Sequence, residues 1–430
     1  MNLIDGKLIE EIPANFLAEE LEQRITKTLS GSRLDVRRVI AACDTLAASI
    51  DEREFLGALE ALRLSPRVAE ARLRQAREMF SGEALTYRLE RELGVDYGLT
   101  HRPAPPFCGR SISERIVPLG VLFHIAAGNA DALPAYSVVE GLLAGNVNIL
   151  KLPSAADGGL SLRLLARLIE IEPCLAGYIY ALDYSSRDTQ ELGLLARLAD
   201  AVVIWGGDEA VSYVRKMTPP DTKIVEWGHK ISFAYATERG LAEGQMEGLA
   251  HHICETNQLL CSSCQGVFVD TDDMAAVHRF AELFLPILER VSAEYPADAG
   301  LGAQAQVMLR RRSAELEAVL GGGRVFGGAE SSISALEDSR LETGIMFRNI
   351  WAKRLVRGRI IKELRPYKNH LQTAALLCGA AERDELTQLL LTAGVSRVTR
   401  GENMSESYCG EPHDGEFALR RYTRIAFWEN

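Results

Sequence analysis

Between residues 121 and 226 the chain alternates short apolar runs with amphipathic ones. The apolar runs are 121–126, 147–151, 178–182, 201–205 and 223–226. The segments between them, 133–144, 160–171, 190–199 and 209–216, place apolar residues at the three- to four-residue spacing of a helix. Strands that are apolar on both faces need cover on both faces, and strands joined by helical crossovers run parallel. The alternation therefore predicts an α/β chain built on a parallel, nucleotide-type sheet.

The flanks read differently. From residue 13 to about residue 93, Leu17, Leu21 and Ile25, then Val39, Ile40 and Leu46, predict helices with no chemical motif. His101-Arg-Pro-Ala-Pro-Pro-Phe107 is a connector, because proline cannot continue a helix. A second αβ region is expected further on, with a helix over 242–259, a strand over 266–269 and a long helix over 274–295. Strands over 344–355, 359–365 and 373–377 follow, then a helix over 382–392 stopped by Gly394.

The 430 residues suffice for two or three separate cores. A net charge of −11, spread along the chain, gives no general attraction to nucleic acid or to an anionic membrane. Residues 1–13 lack the apolar stretch of a signal peptide, and no apolar run reaches the roughly 18 residues of a membrane-spanning helix. A cytoplasmic location without integral membrane contact is the expectation. Eight cysteines lie scattered without a disulfide rhythm, so most should serve as small packing residues.

Five segments could carry chemistry. In Asn257-Gln-Leu-Leu-Cys261-Ser-Ser-Cys264-Gln-Gly266, Cys261 follows a helix and precedes a strand, in a turn that a substrate can reach. Residue type alone leaves it open between packing and chemistry. Zinc binding by Cys261 and Cys264 would need a second close Cys or His pair, and His251-His252 are adjacent rather than ligand-spaced, while redox use as a dithiol would need a thioredoxin-like context that does not flank them. No metal is expected. Glu226 closes a strongly apolar strand, where a carboxylate points to the ligand crevice of a parallel sheet and partial burial would suit it to proton transfer. Asn129 lies in a strand-to-helix turn, able to donate its amide to an oxyanion. Lys151 ends a strand, placed to meet a cofactor ribose or phosphate. Gly206-Gly207 opens a helix whose backbone N–H groups could approach a pyrophosphate. No Gly-x-Gly-x-x-Gly fingerprint occurs, which disfavours a standard dinucleotide-binding motif.

The order strand–Asn129–helix, strand–Lys151, strand–Gly206–helix, Glu226, Cys261 resembles the aldehyde dehydrogenase superfamily. Within it the chain is most similar to the LuxC-like acyl-CoA reductases, through Asn257-Gln-Leu-Leu-Cys-Ser-Ser-Cys-Gln265, Leu371-Gln-Thr373 and His413-Asp-Gly415 with Leu419 and Arg424. The resemblance covers roughly residues 105–430. It implies two αβ domains, a Rossmann-like NAD(P)-binding domain over 105–232 and a catalytic domain over 233–400. A helical N-terminal segment over 1–104 packs on the former, and a tail over 401–430 returns to the core. It also implies that Cys261 is the nucleophile, Glu226 the general base, Asn129 the oxyanion donor, and Lys151 and Gly206 cofactor contacts. Three departures stand out. Leu259 holds the place where ordinary aldehyde dehydrogenases carry Gln, and Gln258 lies one residue back. Ser154 replaces the Glu that binds the adenine ribose, which removes repulsion toward a 2′-phosphate and implies NADPH. Cys264 stands where this branch would carry proline.

The resemblance implies NADPH-dependent reduction of a fatty acyl-CoA or acyl-protein thioester to the aldehyde through a Cys261 acyl-enzyme. A partner acyltransferase or acyl-protein synthetase and a homo-oligomer are implied on the same ground. The same residues would serve an oxidative aldehyde dehydrogenase in which Glu226 activates water for deacylation. A non-catalytic acyl carrier or scaffold would need no intact Asn129, Glu226 and Cys261. His413-Asp414-Gly415 reads as a structural C-terminal turn rather than a partner of Cys261, since Glu226 already supplies a base.

Overall fold

The computed structural model describes the chain apart from residues 14, 62–65, 98–101, 104–106, 108, 127–131, 153–158, 296–299, 322 and 430. The fold divides into two compact units, Met1–Gly228 with Tyr408–Asn430, and His229–Ser407.

In the first unit β1 (Asn2–Ile4) and β2 (Lys7–Ile9) form a hairpin, and β3 (Arg102–Pro103) and β4 (Ile112–Pro118) lead to β5 (Val121–Ile125). Next come β6 (Val147–Lys151), β7 (Ile179–Leu182), β8 (Ala201–Trp205) and β9 (Lys223–Trp227). The sheet order is β2-β1-β7-β6-β5-β8-β9. The five strands from β5 to β9 are parallel, as the helical crossovers between them require. The hairpin extends the β7 edge antiparallel, an addition that the short alternation at the N-terminus did not announce. Helices Leu133–Leu143, Leu160–Ile171, Thr189–Leu198 and Asp208–Met217 make the crossovers. Val39, Leu46, Leu85 and Leu89 of the N-terminal helices share one buried core with Val139, Leu143, Leu165 and Ile149.

The first crossover is held by close approach and by a buried polar chain. A Cβ on Gly141 would lie 1.8 Å from Asn148 Oδ1, so only glycine lets helix Leu133–Leu143 settle on β6. His124, fully buried in β5, meets Ser137 Oγ through Nδ1 at 2.8 Å and Asn148 Oδ1 through Nε2 at 3.0 Å. Burial lowers its pKa from the ordinary 6.5 to about 4, and the Asn148 contact offsets only part of that. The folded chain thus keeps His124 neutral at pH values where the unfolded chain protonates it. Its contribution is intact above about pH 6.5 and is lost as pH falls from there to about 4, on the order of 3 kcal/mol at about 1.4 kcal/mol per unit. Urea midpoints measured from pH 7.5 to 4.5 should therefore fall more steeply for the native chain than for His124→Gln. Equal slopes would remove His124 from the account.

The second unit carries β10 (Ile231–Ala236), β11 (Cys264–Val269), β12 (Arg324–Gly327), β13 (Ser332–Leu336), β14 (Asn349–Arg354), β15 (Leu371–Leu377) and β16 (Arg397–Thr399). Their order is β12-β13-β14-β11-β10-β15-β16, parallel throughout except for the edge strand β12. Gly394, at φ +115°, caps helix Arg383–Ala393 as expected. The strand expected over 359–365 is instead helical, with a short helix Ile360–Leu364 between single 3-10 turns. Ile360 and Leu364 are buried while Lys362, which would share their face in a strand, is exposed, as the helical period requires. Returning to the first unit, β17 (Thr423–Glu429) pairs antiparallel with β4. Among the described residues, no helix is long and apolar enough to cross a membrane.

Candidate active site

Ligands of open parallel sheets bind at the carboxyl ends of the strands, where the strand order reverses. In the first unit that point lies beside β5, whose neighbours are β6 on one side and β8 on the other. Four residues singled out from the sequence sit at this edge. Lys151 is the last residue of β6, Gly206 and Gly207 follow β8, and Glu226 is the penultimate residue of β9. Asn129, just beyond β5, and Ser154, just beyond β6, lie outside the described residues.

Lys151 is largely buried, and its Nζ donates to Leu152 O at 3.1 Å. Burial lowers its pKa, and Asp183 and Asp188 partly restore it. Gly207 precedes helix Asp208–Met217, and a Cβ there would meet nothing within 4 Å, so the backbone at the helix start is open to a ligand. Glu226 is partly buried, its side chain 24% exposed, as expected. Arg215 donates through Nε to Oε1 and through Nη2 to Oε2 at 2.7 Å, so the carboxylate faces a guanidinium in a two-point ion pair.

The C-terminal segment braces the same edge. His413 packs 5.0 Å from both the Trp205 and Trp227 rings, which themselves stack at 5.2 Å. The Arg421 guanidinium lies 4.7 Å over Trp227 and donates to Glu226 O at 3.1 Å. His413 thus belongs to a turn of the first unit, bridged to Glu416, with Asp414 in the left-handed region. Sequence reasoning missed Arg215 and Arg421. Arginines flanking an apolar strand carry no mark of which carboxylate they serve.

In the second unit Cys261 lies in the turn between helix Glu243–Thr256 and β11, and it is exposed. Cys254, Cys264 and Cys378 of the same unit are buried. Burial pushes the Cys264 thiol up to about 12, and Cys264 Sγ donates to Gly266 O at 3.2 Å, which makes it a packing residue of β11. Asn257 and Gln258 both adopt left-handed backbone and swing the chain off the helix. Gln258 is buried, and its Nε2 donates to Cys264 O at 3.0 Å. Leu260 N donates to Ser263 Oγ at 3.1 Å, which closes the turn around Cys261. Ser232 Oγ donates to Cys261 O at 2.8 Å, and Gln372 Nε2 approaches Cys261 Sγ at 3.4 Å. Sequence reading placed Leu371-Gln-Thr373 as a motif but gave Gln372 no role; the fold brings it to the thiol.

An exposed thiol, gripped by its turn, can act as a nucleophile once deprotonated. The sequence pattern of the acyl-CoA reductase (LuxC) family matches residues 32–425. A long-chain acyl-protein thioester reductase of Aliivibrio fischeri is 26% identical over 326 residues, 73% of this chain and 64% of that protein. One from Vibrio harveyi is 29% identical over 182 residues, 41% of this chain and 36% of that protein. The matches thus span less than two thirds of each relative's length. Among solved structures, a methylmalonate-semialdehyde dehydrogenase from Oceanimonas doudoroffii superposes with a TM-score of 0.76, at 14% identity, covering 100% of this chain and 97% of that one. An NAD-dependent benzaldehyde dehydrogenase from Corynebacterium glutamicum gives 0.71 at 14% identity, covering 99% and 97%. These likenesses show an aldehyde dehydrogenase-like fold. The family pattern draws on both compact units, and the chain belongs to the acyl-CoA reductase (LuxC) family.

Proposed function

We propose that this chain reduces a fatty acyl thioester, carried by CoA or by a protein, to the aldehyde with NADPH, through an acyl group held on Cys261. The observation that supports it most is the exposed Cys261 thiol in a braced turn, in a chain of the LuxC family. The Cys261 thiolate attacks the acyl carbonyl, the donor thiol leaves, and a thioester to Sγ results. The Asn129 amide and the Cys261 backbone N–H stabilise the oxyanion formed on the way. Glu226 takes the thiol proton or returns one on release, once it has parted from Arg215.

Residues at the sheet edge fit a nicotinamide dinucleotide. Lys151 presents an ammonium at the end of β6, and the open backbone at Gly207 begins a helix, which suits a phosphate. NADPH, when bound, supplies the hydride. Ser154 in place of an acid favours the 2′-phosphorylated form. The oxidative alternative asks Glu226 to activate water for deacylation, which requires the same parting from Arg215. The long-chain acyl-protein named for the relatives makes a partner acyltransferase or acyl-protein synthetase part of the proposal, as are a homo-oligomer and a cytoplasmic location.

The test is turnover of acyl-CoAs of several chain lengths with NADPH or NADH. NADPH oxidation matched by aldehyde is the expected result. Oxidation of aldehyde to free acid with NADP, without the reverse reaction, would decide for the oxidative reading.

A further inference from the structure

The register of β10 against β15 shifts between Ile231 and Phe233, which leaves Ser232 outside the paired positions of that ladder, and against β11 it shifts just after the Ser232–Cys264 pair. Such an irregularity frees a residue from the ladder and re-aims it. Ser232 is fully buried, and its hydroxyl does two jobs there. It accepts from Thr373 N at 3.1 Å, standing in for a ladder carbonyl, and donates to Cys261 O at 2.8 Å. The irregularity therefore ties the main chain of the cysteine turn to β15. One residue before Thr373, the nearly buried Gln372 sends its side-chain amide to Cys261 Sγ at 3.4 Å. Backbone and sulfur of one cysteine are thus held from adjacent positions of β10 and β15.

We propose that Gln372 is a positioning residue for the Cys261 thiol, its amide N–H holding the sulfur in one rotamer and stabilising the thiolate over the thiol. A carboxamide suits this task. It donates to an anionic sulfur without a charge of its own, and its neighbours in β15 are held on either side, Leu371 opposite Ile231 and Thr373 opposite Arg397. A hydrogen bond to the charged form favours that form. The inference rests on Cys261 being the nucleophile, yet thiol reactivity can be read without turnover.

The experiment alkylates the full chain with iodoacetamide across pH and follows the Cys261 peptide by mass spectrometry. Cys174, exposed in the other unit, serves as the internal reference. Gln372→Met keeps the size and loses the donor, and its alkylation midpoint should rise by about one pH unit, the size expected from one hydrogen bond to an ionised group. Gln372→Glu places a carboxylate at the sulfur and should raise the midpoint further. The Cys174 profile should not move in either. If one variant fails to fold, the other carries the test. An unchanged Cys261 profile in a folded variant would overturn the role of Gln372 while leaving the nucleophile reading intact. Acylation by acyl-CoA that persists in Cys261→Ala would instead overturn the nucleophile reading itself.

Discussion

Cys261→Ala is expected to lower the proposed thioester reduction by more than about 10³-fold, because without the proposed nucleophile only binding and oxyanion stabilisation would remain. The same change should leave unfolding free energy within about 0.5 kcal/mol of the native value, as for other exposed positions outside the core. The control is three residues away. Cys264 is fully buried in β11, so Cys264→Ala should cost stability and spare most of the activity. Stopped assays of aldehyde formation beside urea unfolding separate the two. Equal loss of activity in both variants, with equal loss of stability, would mean that the turn as a whole and not the Cys261 sulfur matters.

The largest structural effect is expected at Arg88. This residue is 5% exposed and pairs with Glu92 Oε1 at 2.8 Å and Glu140 Oε1 at 2.7 Å, while donating to Tyr136 OH at 2.6 Å. Glu92 and Arg88 lie on helix Gly82–Leu93, and Glu140 lies on helix Leu133–Leu143. Glu92 also accepts from Leu419 N at 2.7 Å, and Glu140 from Tyr422 OH at 3.3 Å, so one guanidinium joins the N-terminal helices, the first crossover and the C-terminal tail. Burial pushes both carboxyls up from the ordinary range, and Arg88 draws them back. Arg88→Met leaves two buried acids without their counter-charge, a loss of about 3–5 kcal/mol at neutral pH. Without Arg88 the folded-state carboxyl affinities rise further above the unfolded ones, so the folded variant binds more protons than its unfolded form. Its deficit should therefore shrink as pH falls through the raised carboxyl range. Thermal unfolding of both proteins between pH 8 and 5 measures this. A deficit that is constant with pH would place the effect in lost packing rather than in buried charge.

What could be read from the sequence follows from how each element is buried. Strands β5 to β8 were legible because they are covered on both faces and read as largely apolar runs, and the edge strand β9 because Ile224-Val225 continues the alternation. β10 was not, because it follows β9 after only Gly228-His-Lys230 with no helix between, which breaks the alternation at the boundary between the units. The residues at 359–365 look strand-like in isolation, but Ile360 and Leu364 are buried at helical spacing, a fact that only their packing supplies. The positions of Lys151, Gly206, Gly207 and Glu226 at one sheet edge were legible from the alternation itself. The Arg215 contact to Glu226, the Trp205–His413–Trp227 cluster and the approach of Gln372 to Cys261 were not. Each joins residues that are distant in sequence or of a type common on any surface, and only the packing of the folded chain brings them together.

The central claim is that Cys261 carries an acyl group which is then reduced. The most direct measurement mixes the chain with a long-chain acyl-CoA, records intact mass, maps the adduct, and then adds NADPH. The account predicts one acyl group on the Cys261 peptide that is released as aldehyde in an amount equal to the adduct, and no adduct in Cys261→Ala. An adduct elsewhere, or release as free acid at a rate that NADPH does not change, would contradict it.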